Sequence, residues 1–308
     1  MTLSRRTALF AGAALPLAAT FHAAPARAQE ADGASRSGLP SHATLTVGAI
    51  TVTPLLTSTN VGDDPHSIFG LNVDDETFAA ASEERFIPSD RSISFYLPTV
   101  VETDGNMILF DTGNSADEIT AALEAAGMAP SDITHVVITH MHPDHIRGLM
   151  TEGGEPVFPD AEYISGQVEA DWWAENPNDA YEANIAPLID RFTLIEDGAE
   201  IAPGITAMAA FGHTPGHMTY MIESEGTRLL LMADVANHYV WSVGHPDWEV
   251  RYDQDKEMAA ETRRRVLGMA AEERFPVLGY HMPFPGVGFI EVDGDGFRFV
   301  PHTYQLSF

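Results

Sequence analysis

His140-Met141-His142-Pro143-Asp144-His145 decides how this chain is read. It follows Ile133–Thr139, a continuous β-branched and apolar run of the kind that forms a buried strand. His140 and His142 are two residues apart, so on an extended backbone both face the same way. Pro143 disfavours a helical conformation at His142 and keeps the chain extended there. Beyond the proline the chain is free to turn helical, and the adjacent Asp144 and His145 then project elsewhere. One hexapeptide thus offers ligands to two neighbouring metal positions. Imidazole with carboxylate suits zinc, iron or manganese. Three histidines and an aspartate in six residues, at the end of an apolar strand, argue against a chance surface cluster.

The surrounding chain is long enough for one large domain or two small ones. Thr44–Pro54 alternates and predicts a strand. Residues 60–90 are polar and irregular, and predict a long lid or binding loop. Ile93–Glu102 and Met107–Phe110 predict a strand pair turning at Asp104-Gly105. A helix is expected from Ser115 to Ala126, ended by Gly127. Further strands are expected at Ala161–Ser165, Phe192–Ile195, Ile205–Ala210, His217–Ser224, Arg228–Ala233 and Val277–Tyr280. Val168–Ala174 and Asp253–Glu273 predict helices, and Phe289–Val292 with Phe297–Pro301 a closing hairpin. Strands with interspersed helices in both halves predict two β-sheets face to face with helices outside.

Composition narrows the chemistry. There is no cysteine, so neither a disulfide nor a thiolate ligand is available and any metal must be held by His and carboxylate. Sixteen basic residues stand against 45 acidic ones, and such a surface repels nucleic acid and anionic lipid. No Gly-x-Ser-x-Gly elbow is present, so covalent catalysis has little support. At the amino terminus, Ser4-Arg5-Arg6 precedes an apolar run from Ala8 to Phe21, and Ala26-Arg27-Ala28 offers small residues for cleavage. This predicts a twin-arginine signal peptide over residues 1–28, a flexible leader over 29–42 and a catalytic domain over 43–308. The mature protein would be periplasmic or secreted, without a membrane span.

His-x-His-x-Asp-His resembles the metal motif of the metallo-β-lactamase superfamily, and other elements of that pattern follow in order. Phe211-Gly212-His213-Thr214-Pro215-Gly216-His217 resembles its second metal segment, whose first His is the ligand. Met232-Ala233-Asp234 resembles the segment supplying a bridging carboxylate, and Gly279-Tyr280-His281 the one with the final His. Phe110-Asp111-Thr112-Gly113 matches the family's Asp-Thr-Gly turn. The likeness covers roughly residues 43 to 308. The resemblance implies a mixed α/β (α+β) fold, an αββα sandwich of two mixed sheets with helices on the outer faces. It implies two divalent ions, zinc foremost with iron, manganese or cobalt as alternatives. His140, His142 and His213 would bind one ion, Asp144, His145 and His281 the other, with Asp234 between them. Asp111 would orient a metal-bound His through its other ring nitrogen, and His217 would pack or hydrogen-bond behind the ligands.

Such a centre implies an exported dinuclear hydrolase. A bridging hydroxide, available because metal lowers the pKa of water from about 15.7 to about 7, would attack an ester, lactone or organophosphate triester. Residues 211–224, 281–288 and 297–301 are most similar to methyl parathion hydrolase and its lactonase-like relatives. Acyl-homoserine lactonases carry a catalytic Tyr three residues after the bridging Asp; here that residue is Asn237, and Tyr239 or His238 is the candidate substitute. Trp241, Trp248 and Phe284 lie on loops after ligand-bearing strands and are expected to line the substrate pocket. Arg147 is a candidate for an anionic substrate group, with an ion pair to a nearby acid the favoured role. An iron persulfide dioxygenase and a non-catalytic periplasmic metal-binding protein are the alternatives. Relatives suggest a homodimer by analogy.

Overall fold

The structure is a computed structural model and describes residues 40–303. The twin-arginine segment and most of the leader lie outside the described residues. Among those described, no helix is long and apolar enough to cross a membrane.

The first half of the chain builds one sheet and the second half another. β1 (Leu45–Val47) and β2 (Ile50–Pro54) open the domain, followed by β3 (Ser58–Asp63) and α1 (Asp75–Glu84). Then come β4 (Arg91–Tyr96), β5 (Thr99–Thr103), β6 (Asn106–Phe110) and α2 (Ala116–Ala125). β7 (His135–Ile138) leads into the one-turn α3 (Pro143–Ile146). β8 (Glu162–Gly166), α4 (Gln167–Glu175), α5 (Asp179–Asn184) and β9 (Phe192–Ile195) complete this half. The first sheet runs β1-β2-β5-β6-β7-β8-β9, parallel from β6 onward, while β3 and β4 form a separate two-stranded sheet.

The second half contains β10 (Glu200–Ala202), β11 (Ile205–Ala209), β12 (Met218–Ser224) and β13 (Thr227–Ala233). After α6 (Lys256–Glu273) come β14 (Val277–Gly279), β15 (Val287–Asp293) and β16 (Gly296–Pro301). These strands pair in sequence order, antiparallel except for β13 with β14.

Alternation along the strands separates the layers. Val137 points between the sheets, while Val136 and Ile138 point toward α2 and α4. Likewise Leu229, Leu231 and Ala233 face the first sheet, while Leu230 and Met232 pack toward Val266 and Leu267 of α6. Both faces of each sheet are therefore apolar and covered, giving the expected helix–sheet–sheet–helix order.

Three expectations need correction. The run Thr44–Pro54 is two antiparallel strands, because Gly48 turns the chain at φ 57° where a Cβ would meet the Ser224 carbonyl oxygen at 2.4 Å. Ile93–Glu102 is likewise two strands, broken at Leu97-Pro98. Residues 60–90 hold most of β3 and all of α1 rather than an irregular loop. Asp74 caps α1 by accepting from the Thr77 N–H at 2.8 Å.

α1 brings Phe78 into an aromatic cluster with Phe69, Trp241 and Trp248. His238 stacks on Trp241 there, and its Nδ1 accepts the Val240 and Trp241 N–H groups. Burial lowers the His238 pKa to about 3, so the folded protein holds it neutral where the unfolded chain would protonate. Its contribution is complete above pH 6.5 and is lost as pH falls from there toward 3, amounting to about 2 kcal/mol at pH 5. His238→Asn keeps an acceptor near Nδ1 but takes up no proton. Urea unfolding at pH 7 and pH 5 should show a gap about 2 kcal/mol smaller in that variant; an equal gap refutes the assignment.

Candidate metal centre

Each candidate ligand leaves the end of a strand or the turn just after it. β7 stops at Ile138, and the buried Thr139 and His140 follow. His142 is extended at φ −66°, ψ 151°, and Pro143 opens α3, which carries Asp144 and His145. The switch from extended to helical at the proline is the one read from the hexapeptide. From the other half, His213 sits between β11 and β12 and His281 follows β14. Asp234 follows β13, where Ala233 bends the backbone through φ 45°.

These side chains converge between the two sheets. His140 Nε2 lies 3.1 Å from His142 Nδ1, which lies 2.9 Å from His213 Nε2. His281 Nε2 lies 3.3 Å from Asp144 Oδ2 and 3.2 Å from Asp234 Oδ2. Asp234 Oδ2 is also 3.4 Å from His213 Nε2, and its Oδ1 is 3.5 Å from His145 Nε2. His140, His142 and His213 make one compact donor group, Asp144, His145 and His281 another, and Asp234 reaches both.

The far side of the rings sets their chemistry. His213 Nδ1 donates to Asp253 at 2.8 Å, His145 Nδ1 to Asp111 at 2.8 Å, and His281 Nδ1 to the Phe95 carbonyl at 2.8 Å. Thr139 Oγ1 donates to Asp111, leaving its lone pairs for His140 Nδ1 at 3.1 Å. Nε2 of all four rings therefore faces inward, and it offers a lone pair wherever the ring is neutral. Crowded lone pairs repel one another, and a cation turns that arrangement into an attractive one. His145 Nε2 and Asp234 Oδ1 are buried with no hydrogen-bond partner, which marks the same position. The donor set, five imidazoles and two carboxylates, fits a pair of divalent transition-metal ions.

The electrostatics differ between the groups. Burial, followed by the neighbouring His213, lowers His142 to about 3, so that ring is neutral and ready to coordinate. Burial opposes charge on His281 too, but Asp234 and Asp144 outweigh it and raise its pKa to about 10. Burial likewise opposes ionisation of Asp144 and Asp234, and the rings of His145 and His281 overrule it.

The centre floors a cavity of about 370 Å³. Asn60, Ser92, Ser94, Tyr96 and Asn114 make its polar wall, with Ile68, Phe69 and Tyr252 as apolar patches. Trp241, Trp248 and Phe284 do not line it. Both tryptophans are consumed by the aromatic cluster around Phe78, and Tyr239 lines a separate hollow with Arg85 and Phe297. His238 is locked in the same cluster, so neither it nor Tyr239 stands in for the lactonase phenol. Arg147 does line the cavity, and the expected ion pair is absent. Arg85, Arg228, Arg263 and Arg298 hold carboxylates, whereas Arg147 is exposed and pairs with none among the described residues.

Several contributors were not singled out from sequence. Asp253 orients His213 and is itself held by Arg263 at 2.7 Å. Tyr280 donates to the Asp144 carbonyl at 2.6 Å, and Asn237 donates to Asp234 Oδ2 at 2.8 Å. His217, by contrast, is singled out from sequence as a residue behind the ligands, and its Nε2 accepts the Asp234 N–H at 3.1 Å. Tyr96 ends β4 and meets His281 edge-on at 5.5 Å. Asn237 lies near a recognisable motif, but only the fold pairs Asp253 with His213 and Tyr96 with His281.

The profile of the metallo-beta-lactamase superfamily matches residues 95–277, more than half of the chain. This chain belongs to the metallo-beta-lactamase superfamily. An N-acyl homoserine lactonase of Bacillus cereus is 28% identical over 123 residues, 40% of this chain. The match spans 46% of that relative, about half its length. Among solved structures, the dizinc quorum-quenching lactonase AidC, in complex with a product, superposes with a TM-score of 0.77 at 24% identity. It covers 86% of this chain and 98% of AidC. The hydrolase AbOPH gives 0.79 at 22% identity, over 86% and 99% of the two chains. Those two likenesses bear on the fold, and the superfamily's two-sheet architecture is the one observed.

Proposed function

We propose that this superfamily member is a two-metal hydrolase that opens a lactone or a related ester. The observation that carries the reading is the pair of three-ligand groups sharing Asp234 on the floor of one cavity. The lactonase relatives favour a carbonyl substrate over a phosphotriester. Held by these ligands, divalent ions would make water a nucleophile at neutral pH and would polarise the substrate's carbonyl oxygen.

The chain's own residues prepare that chemistry. Asp111, Asp253 and the Phe95 carbonyl fix the orientation of the His145, His213 and His281 rings. Asn237 holds Asp234 by its Oδ2. Tyr96 supplies the phenol missing from the position after Asp234. Burial, then the Asp144 carboxylate, pushes its pKa up to about 12, so it stays protonated and donates to a substrate oxygen. Tyr96→Phe should lower kcat about a hundredfold with metal content unchanged. Wild-type kcat in that variant removes Tyr96 from the mechanism.

The test of the whole reading is metal quantification alongside hydrolysis of lactones, aryl esters and phosphotriesters. Two ions per chain, lactone or ester turnover lost on chelation and recovery on adding zinc are expected. Full activity in protein without stoichiometric metal sinks the reading, and turnover confined to phosphotriesters overturns the choice of bond.

A further inference from the structure

The fully buried Glu169 lies on α4, away from the cavity, and touches none of the candidate ligand side chains. Its carboxylate nevertheless holds both loops that carry one ligand group. Oε1 accepts the Met141 N–H at 2.8 Å and the Trp173 indole N–H at 2.7 Å. Oε2 accepts the Thr214 hydroxyl at 2.7 Å and the Gly216 N–H at 2.9 Å. Met141 lies between His140 and His142, and Thr214 and Gly216 directly follow His213. All four partners serve as donors, an arrangement that needs an acceptor on both oxygens and so selects the carboxylate. The loop after His213 also rests on the first turn of α4, since a Cβ on Gly216 would stand 2.0 Å from the Glu169 nitrogen.

The other group is framed by different contacts. Asp111 holds His145, the Phe95 carbonyl holds His281, and Tyr280 holds the Asp144 backbone. None of these touches Glu169. One hydrogen-bonded link joins the frames, from Asp111 through Thr139 to His140.

We infer that Glu169 is a positioning residue that sets the spacing of His140, His142 and His213, so that its loss weakens one metal position and spares the other. The inference rests on the reading of these side chains as metal ligands. Glu169→Gln keeps the volume but turns an amide NH2 toward two donors, so one loop must move away. Loss of a hydrogen bond behind the ligands lowers metal affinity by about ten- to a hundredfold.

The experiment is zinc titration of metal-free wild type, Glu169→Gln, Thr214→Val and His281→Ala against a chromophoric chelator, with cobalt ligand-field spectra and circular dichroism. Wild type should bind two ions. Glu169→Gln should bind one at wild-type affinity and the other at least tenfold more weakly, and Thr214→Val should show a smaller change in the same direction. His281→Ala should lose the opposite ion, with a cobalt spectrum distinct from that of Glu169→Gln. Two ions at wild-type affinity in Glu169→Gln, or parallel weakening of both, overturns the inference. If circular dichroism shows that Glu169→Gln does not fold, Thr214→Val decides by the same criteria. A wild type that binds no metal overturns the functional reading itself, whereas two wild-type ions without selectivity overturn only the role of Glu169.

Discussion

Asp234→Asn is expected to cost about a thousandfold in kcat and to lower metal occupancy, while leaving the fold intact. The substitution changes one atom's chemistry and almost no volume. Asp234 is 2% exposed, and its backbone is held by His217, so the side chain keeps its place. What goes is the negative charge that faces both donor groups. Oδ2 lies within 3.4 Å of His213 and His281, and Oδ1 faces the unpartnered His145 nitrogen. An amide offers one oxygen, and its NH2 repels whatever cation the other group holds. Only Asp144 would remain as an anionic ligand among five imidazoles. Metal content and lactone turnover measured on one preparation check this. A variant with two bound ions and near-normal kcat would place Asp234 outside the centre.

Arg263→Met is expected to give the largest loss of stability, roughly 3–5 kcal/mol. Arg263 is 1% exposed on α6. It donates to the Val235 carbonyl at 2.9 Å, the Pro246 carbonyl at 2.8 Å and Asp253 Oδ2 at 2.7 Å. Methionine fills much of the volume but leaves a buried carboxylate uncompensated and two carbonyls without their donor. The thermal midpoint should fall on the order of 10 °C in a domain of this size. Adding Asp253→Leu should recover much of that loss, because the stranded charge is gone. The double variant should still bind metal poorly, since His213 loses its partner. A single-variant loss below about 1 kcal/mol would show that Asp253 is not dependent on Arg263 for its charge.

The parts of this molecule legible from sequence are those governed by local chemistry. The hexapeptide could be read because a proline, a strand end and side-chain alternation act over two or three residues. The two-layer core could be read because alternation in Val136-Val137-Ile138 and Leu229–Ala233 assigns each side chain a face. Gly48 was harder, since a two-residue turn inside a β-branched run leaves the hydrophobic pattern unbroken. α1 leaves little pattern in the sequence because its buried side is small, with Phe78, Ala81 and Ser82 alone turned inward. The sequence points Trp241 and Trp248 toward the pocket because their partners Phe69 and Phe78 lie in a segment with the composition of a loop. Glu169 and Asp253 act on residues 28 to 47 positions away, and no spacing in the sequence marks such pairs.

Every strand of the first sheet precedes residue 196, and every strand of the second follows residue 199. No strand crosses over, so each half could zip up its own ladder before meeting the other. Four candidate ligands belong to the first half and three to the second, with Asp234 reaching across. An ion gripped from both sides would be a clasp between two separately wound pieces, and its binding energy would double as the energy of docking them. Stripping the metal would then be felt along the whole seam, as faster amide exchange where the sheets meet, well before either sheet came apart.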